Sequence, residues 1–194
     1  FAILYDAASN KTYGLTSTGP APNRAFPDTY KNMGYDFVPF SGPLSVSPPG
    51  EIAAYSQINK TFGTMPLSKL LESAIEHAEK GFRILPGISR DFLNGKTRLV
   101  EFPNTKSIFL NNEKPYKTGD LFSNTNLATT LRRISTGGMK EFYKGDLAKE
   151  IVREFQEAGG LLDEEAMANV SGQGRSKQLS SIKVKDSEKS VSTQ

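Results

Sequence analysis

Proline and glycine set residues 16–50 apart from the rest of the chain. Seven of the eleven prolines fall in this stretch, together with four glycines. Proline has no backbone N–H and a fixed φ, so such a stretch cannot form a central strand or a long helix. We therefore predict a long irregular segment at residues 16–50, and long irregular segments in compact domains often carry function.

The residues before this segment are β-prone. Residues 1–5 and 12–15 are rich in residue types that favour strands, and the turn-like residues 6–11 separate them. This pattern predicts an N-terminal β-hairpin. Because the first residue, Phe1, already reads as the interior of a strand, we expect the sequence to be a fragment of a longer protein.

The residues after position 50 have a helical pattern. A helix is predicted over residues 51–60, and apolar residues recur at helical spacing from Leu67 to Ala78, after a Thr64 cap and before Gly81. Further helices are expected around residues 127–134, ending at Gly137-Gly138, and from a cap at Asp146 to Gly159-Gly160. A last short helix is expected to start at residues 163–165, and residues 82–123 show no strong period.

Residues 171–194 differ in composition from the first 170. They hold five basic and two acidic residues, so the net charge of +3 lies there, while residues 1–170 are neutral. The division predicted is therefore a folded segment, residues 1–170, followed by a polar basic segment, residues 171–194. The second segment is either a tail or, from the alternation at residues 182–185, a strand that needs partners from the rest of the protein.

Composition also restricts the kind of function. A neutral body gives no sign of the basic face that nucleic-acid binding requires, and no apolar run approaches the length of a membrane span. There is no cysteine and a single histidine, His77, so no metal site and no cofactor is predicted. The sequence assigns no cellular location.

Four local patterns have an ordinary structural interpretation. Residues 94–97 imitate the end of a phosphate-binding loop, but Arg90 stands where that loop needs glycine. His77 is expected on the exposed edge of a helix. Arg132 and Arg133 are expected to be solvated or ion-paired, and the acidic clusters to be helix surfaces or helix starts. From the residues alone, no self-contained active site is visible.

Several segments, taken in order, resemble the large subunit of the γ-glutamyltranspeptidase family. The longest is residues 62–82, from Phe62-Gly63-Thr64-Met65-Pro66-Leu67 through the following helix. Each segment alone is short, and the ordered set is specific. The other segments are residues 1–6, 14–22, 42–53, 127–134, 142–145 and 159–162.

This resemblance implies an α/β fold that is part of a four-layer αββα N-terminal nucleophile hydrolase. It implies a precursor that cleaves itself into a large and a small subunit. The N-terminal Thr of the small subunit would attack an amide such as a γ-glutamyl compound or glutathione. No catalytic residue is then expected in this chain, and its partner would be that small subunit, from the same precursor.

The sequence departs from the family at one binding position. Family members specific for γ-glutamyl groups carry an arginine where this chain has Thr18, and a hydroxyl cannot supply that charge. Arg24 lies six residues further on and is a possible substitute. Either the substrate is not a γ-glutamyl compound, or another residue binds its carboxylate. We expect Thr16, Ser17 and Thr18, named here the hydroxyl segment, to line the substrate pocket; a plain turn is the alternative.

The sequence thus predicts the large-subunit portion of a γ-glutamyltranspeptidase-like hydrolase or acyl transferase, inactive as an isolated chain. The loss of the arginine favours a second interpretation. In that interpretation the chain belongs to a non-catalytic relative that keeps the fold as a binding or assembly scaffold.

Overall fold

A computed structural model describes residues 1–172 and 180–182 of the chain. The fold is α/β and mainly helical, and the predicted N-terminal hairpin is confirmed. Strands β1 (Ala2–Asp6) and β2 (Lys11–Leu15) pair antiparallel, with Ala2 opposite Leu15 and Asp6 opposite Lys11. Strand β7 (Ser180–Ile182) pairs with the other edge of β2, which makes β2 the central strand of a three-stranded sheet.

The irregular segment holds two short helical pieces that the sequence pattern did not predict. Helix α1 spans Pro27–Asn32, and a 3-10 turn spans Pro43–Ser45. Both begin with proline, whose fixed φ suits the first position of a helix. Tyr30 of α1 is buried, and its hydroxyl donates a hydrogen bond to the carbonyl oxygen of Leu44 at 3.1 Å. The segment is thus tied together locally although it is rich in proline.

Helices α2 (Glu51–Phe62) and α3 (Leu67–Lys80) lie where the sequence predicts them. The expected cap at Thr64 is wrong, because Pro66 has extended backbone angles and occupies the N-cap position. Proline disfavours helical angles in the residue before it, so a helix that contained Met65 would be strained.

Residues 82–123 contain two helices, α4 (Pro86–Leu99) and α5 (Pro103–Phe109), that the periodicity did not reveal. Four two-residue strands surround them. Strand β3 (Phe82–Arg83) pairs with β6 (Leu121–Phe122), and β4 (Leu110–Asn111) pairs with β5 (Lys114–Pro115). Aromatic side chains hold this region together, with ring centroids 5.2–6.1 Å apart. They are Phe82, Phe92, Phe109, Tyr116 and Phe122.

Helix α6 runs over Thr125–Lys144, beyond the predicted end at Gly137-Gly138. The glycine signal still marks a real break, because Gly138 has φ 60° and ψ −151° and divides α6 into two helical halves. Non-glycine residues rarely adopt such angles. The sequence therefore located the break correctly but not the continuation after it.

Two further helices complete the described part. Helix α7 spans Asp146–Glu157, with Gly145 rather than Asp146 at the N-cap, so the predicted Asp146 cap is wrong. Helix α8 spans Glu164–Gly172, as the acidic start predicted. The Asp163 carboxylate accepts a hydrogen bond from the Ala166 amide at 2.7 Å, which is the geometry of a side-chain cap.

The main core lies between α2, α6, α7 and α8. No helix among residues 1–172 combines the length and the apolar character needed to cross a membrane. Apart from Leu162, which lies between α7 and α8, the core side chains come from helices, as their apolar spacing predicts. The buried members are Ala53, Ile134, Phe142, Tyr143, Leu147, Ala148, Val152, Leu162, Ala166, Met167 and Val170.

Part of the segment expected to be a tail or a strand lies outside the described residues. Residues 180–182 form β7 within this chain's own sheet. Residues 173–179 and 183–194 are not described, and of the alternating residues 182–185 only Ile182 is. The division at residue 170 therefore stays a prediction.

Candidate functional site

The hydroxyl segment directly follows strand β2 and opens the irregular stretch that leads to α1. Thr16 and Thr18 are exposed and Ser17 is half-buried. Within the described residues, none of the side-chain hydrogen bonds uses their three hydroxyl groups. These groups are therefore available to a ligand, but the structure alone does not assign them to a substrate pocket, and that role stays a prediction.

The backbone of the hydroxyl segment packs tightly against the turn at residues 48–50, named here the proline turn. A Cβ placed on Gly50 would lie 1.9 Å from the carbonyl oxygen of Ser17. A Cβ on Gly19 would lie 1.7 Å from the carbonyl oxygen of Pro48. Real Cβ atoms do not approach backbone oxygen this closely, so each position admits only glycine without a backbone shift. The two segments therefore interlock backbone against backbone.

Tyr143, near the end of α6, connects this pair of segments to the core. Its side chain is 1% exposed, and its hydroxyl donates to the carbonyl oxygen of Pro49 at 2.7 Å. The same hydroxyl accepts a hydrogen bond from the Ala53 amide, in the first turn of α2, at 3.1 Å. Burial raises the pKa of Tyr143 to about 12, so the phenol stays protonated and can donate throughout the neutral range.

No cationic group stands within the hydroxyl segment. Arg24, the possible substitute for the family arginine, is exposed, and it takes part in none of the ion pairs formed within residues 1–172. Its guanidinium therefore pairs with no carboxylate of residues 1–172. Arg24 stays a candidate for binding an anionic substrate group.

Residues 94–97 and His77 have the ordinary structural roles expected of them. Residues 94–97 lie inside helix α4, where the backbone cannot form a phosphate-cradling loop. His77 is exposed in the last turn of α3. In the part of the chain that the structure describes, no three His, Asp or Glu side chains come together in a way that could hold a metal ion.

Arg132 and Arg133 are ion-paired, as predicted. Arg132 contacts Glu79 of α3 at 2.6 Å. Arg133 contacts Glu150 of α7 at 2.6 Å and Glu141, beyond the break in α6, at 2.7 Å. Hydrogen bonds to these two carboxylates raise the pKa of Arg133. Both arginines therefore have structural partners rather than a free position in a pocket.

Sequence reasoning missed the three residues that fix the hydroxyl segment: Tyr143, Gly19 and Gly50. All three lie in segments that resemble the family, but the resemblance assigns them no role. The one available signal was chemical, since a tyrosine in an apolar helical pattern needs a hydrogen-bond partner when buried. That signal does not say which backbone groups the hydroxyl will meet.

Comparison with known proteins shows a similarity that covers most of the chain. The model of the family described as Gamma-glutamyltranspeptidase matches residues 1–185. The glutathione hydrolase proenzyme of Escherichia coli is 36% identical over 126 residues, which is 64% of this chain and 22% of that protein. The chain spans about a quarter of the length of the curated relatives it matches.

Solved structures show the same relationship in three dimensions. The γ-glutamyltranspeptidase of Helicobacter pylori superposes with a TM-score of 0.81 at 28% identity, over 87% of this chain and 49% of that chain. A cephalosporin acylase from Bacillus halodurans superposes with a TM-score of 0.75 at 27% identity, over 86% and 32% of the two chains. The arrangement of helices described above is thus shared with both proteins.

Proposed function

The chain belongs to the Gamma-glutamyltranspeptidase family, and we propose that it is the large-subunit portion of an amide hydrolase or acyl transferase. The family match along residues 1–185 is the observation that carries this proposal. The relatives include a glutathione hydrolase proenzyme and a γ-glutamyltranspeptidase, which supports a processed precursor with two subunits. They do not favour the alternative of a non-catalytic scaffold.

The nucleophile in this proposal lies on the small subunit, outside this chain. Its N-terminal Thr would attack the amide carbonyl carbon through Oγ1, while its own α-amino group takes the hydroxyl proton. The C–N bond of the amide then breaks, and the leaving amine carries that proton away. Water or an acceptor amine attacks the resulting ester and restores the free threonine.

The three-stranded sheet supports the proposal of a four-layer core. One face is covered by helices, since Tyr13 of β2 packs its ring 5.1 Å from that of Phe62 in α2. Within the described residues the other face is largely exposed, since Ile3 and Tyr5 of β1 are 79% and 61% exposed and Phe1, just before β1, is 95% exposed. Apolar residues at every second position of a strand share one face of the sheet, and such a face normally packs against a second layer. In the complete protein that layer would be a second sheet.

The role proposed for this chain is to shape the substrate pocket with the hydroxyl segment. With Thr18 in place of the family arginine, the pocket lacks the guanidinium that would pair with a substrate α-carboxylate. A substrate whose acyl group has no α-carboxylate fits these hydroxyls, and a γ-glutamyl substrate would need another cation, for which Arg24 is the candidate. Glutathione hydrolase and cephalosporin acylase among the relatives represent the two substrate classes.

The test uses the mature two-subunit protein with γ-glutamyl p-nitroanilide and with butyryl p-nitroanilide, which lacks the α-amino and α-carboxylate groups. We expect turnover of at least one amide by the mature protein and none by this chain alone. Turnover by the isolated chain would contradict the missing nucleophile. If the mature protein hydrolyses neither amide nor any other acyl amide, the scaffold alternative is supported instead.

A substitution at position 18 tests whether the hydroxyl segment lines the substrate pocket. Thr18→Arg restores the guanidinium and is expected to raise kcat/KM for the γ-glutamyl amide about tenfold relative to the butyryl amide, as a charged hydrogen bond to the α-carboxylate should. Thr16→Arg is the matched control, because it adds the same side chain at an exposed position two residues away. An equal effect of both variants would argue against a role specific to position 18.

A further inference from the structure

The Tyr143 hydroxyl stands where a helix cap is missing. Helix α2 begins at Glu51, and its N-cap residue, Gly50, has no side chain that could accept from the first amides. The first amides of a helix have no partner within it and need one from elsewhere. The Ala53 amide finds this partner in the Tyr143 hydroxyl at 3.1 Å. Tyr143 therefore caps α2 from a helix about 90 residues further along the chain.

The same hydroxyl holds the proline turn. It donates to the Pro49 carbonyl oxygen at 2.7 Å, and Pro48 is among the most deeply buried residues of the chain. Because proline fixes φ, two consecutive prolines leave this turn few other conformations. The position of the turn relative to the core is thus set by one phenol that contacts both the turn and the helix after it.

The proline turn in turn fixes the hydroxyl segment. The close approaches of Gly50 to the Ser17 carbonyl and of Gly19 to the Pro48 carbonyl leave no space between the two backbones. A shift of the turn toward Ser17 would push the segment, and a shift away would open a gap behind it. Close-packed interiors transmit displacements of this kind rather than absorbing them.

We infer that Tyr143 is a positioning residue for the hydroxyl segment, acting through the proline turn to set where Thr16, Ser17 and Thr18 face the substrate. This inference rests on the proposed function, in which that segment lines the pocket. Tyr143 does not touch the substrate. Its contribution is to hold the pocket wall in the geometry that binds the acyl group, so a small displacement of that wall weakens substrate binding.

The direct test is Tyr143→Phe in the mature two-subunit protein, assayed with whichever of the two p-nitroanilides the wild type hydrolyses. Phenylalanine keeps the ring, which packs edge-on against Phe142 with centroids 4.9 Å apart, and removes only the hydroxyl. We expect KM to rise about tenfold with kcat changed less than about twofold, the signature of lost binding in ground and transition state alike.

Tyr30→Phe is the matched control. Tyr30 is also buried, and its hydroxyl also donates to a backbone carbonyl of the irregular segment, that of Leu44 at 3.1 Å. This variant should lower thermal stability by a similar amount and leave KM unchanged. A KM of the wild-type value in Tyr143→Phe, or an equal rise in both variants, would overturn the inference and reduce Tyr143 to a stabilising residue.

Hydrogen exchange provides a second readout that does not depend on activity. In Tyr143→Phe, amide exchange should accelerate at residues 50–54 and also at residues 16–19, while Tyr30→Phe should leave residues 16–19 unchanged. Faster exchange confined to residues 50–54 would show that a displacement of the proline turn does not reach the hydroxyl segment, and this would overturn the inference. If the wild type hydrolyses no amide, the proposed function fails, and the exchange pattern still decides whether Tyr143 positions the segment.

Discussion

The backbone position of the hydroxyl segment depends on a few individual atoms of neighbouring residues. A methyl group added to Gly50 or to Gly19 would overlap a carbonyl oxygen of the facing backbone. One phenolic oxygen, that of Tyr143, joins this pair of backbones to the core. The local structure therefore depends on three residues whose side chains are absent or buried, and none of them carries reactive chemistry.

We predict that Gly50→Ala destabilises the protein by about 1–3 kcal/mol, because the new Cβ forces the Ser17 backbone to move. The measurement is the shift of the urea unfolding midpoint. Gly87→Ala is the control, since a Cβ at Gly87 meets nothing within 4 Å and the residue lies in helix α4. The control should be neutral or stabilising by up to about 1 kcal/mol. Equal midpoints for the two variants would contradict the interlock.

The raised pKa of Tyr143 predicts a specific loss of stability in alkali. The folded pKa is about 12 and the unfolded value is 10.0, so above pH 10 the unfolded chain loses this proton first. Stability is unaffected below pH 10 and falls by about 1.4 kcal/mol per pH unit as pH rises toward 12.

The measurement for Tyr143 is the free energy of unfolding of wild type and Tyr143→Phe from pH 8 to pH 12. Tyr143→Phe lacks the titrating group, so its curve should fall less steeply, and the difference between the two should shrink above pH 10. Parallel curves across this range would show that Tyr143 ionises equally in both states.

Helix α6 organises the helical part of the chain. It packs against α2, α3, α7 and α8, and its two halves meet at Gly138, where the backbone leaves helical angles. Glu141, just after this break, accepts hydrogen bonds from Arg133 Nε at 3.0 Å and Nη2 at 2.7 Å. It also accepts from the Leu147 amide at 3.2 Å, in the first turn of α7. One carboxylate thus joins both halves of α6 and the start of α7.

We predict that Glu141→Gln costs about 1–3 kcal/mol of stability, because the neutral amide weakens charge-assisted hydrogen bonds around a half-buried Arg133. Glu72→Gln is the matched control, since Glu72 pairs with Lys69 on the exposed surface of α3. Exposed pairs contribute about 0–1 kcal/mol, so the control should change stability little. Thermal unfolding of both variants measures the difference, and comparable losses would refute the bridging role of Glu141.

The elements differ in how well the sequence predicted them, for physical reasons. Helices α3 and α7 carry clear apolar stripes and end at glycine signals, so periodicity located them. Helix α4 contains Gly87 and Gly95 and buries none of its residues completely, so its pattern is weak. Its Phe92 instead packs on Phe109, Tyr116 and Phe122, contacts that no local window contains.

Contacts between residues distant in sequence also limit what could be predicted of the candidate site. The resemblance predicted that the hydroxyl segment lines the substrate pocket, and this role remains a proposal. The support behind it could not be predicted, because Tyr143 lies 94 residues from Pro49 and 90 from Ala53. Helix spacing indicates that a tyrosine is buried, but only the packing of α6 against α2 determines its partners.

For the molecule as a whole, the uncovered face of β1 is the feature that most needs a partner. Phe1, Ile3 and Tyr5 are exposed on it, and among the described strands β1 pairs only with β2. An apolar face next to an unpaired strand edge promotes association with other chains. In the proposed complete protein this face is covered.

We predict that residues 1–194, prepared alone, self-associate through this face. Ile3→Thr keeps a β-branched side chain but removes apolar surface, and it should weaken association about tenfold. Leu85→Thr, at the exposed N-cap of α4, is the control and should have no effect. Sedimentation equilibrium measures both, and a monomeric wild-type chain would contradict the prediction.

The central position of β2 has a consequence for the order in which the chain folds. Its pairing with β1 needs only a short turn, whereas its pairing with β7 joins residues roughly 170 positions apart. Closing so long a loop costs more entropy than closing a hairpin, and distant pairings slow folding. The hairpin can therefore form early and present the free edge of β2. Strand β7 pairs with that edge only after the intervening helices have formed and reduced the distance between the two strands.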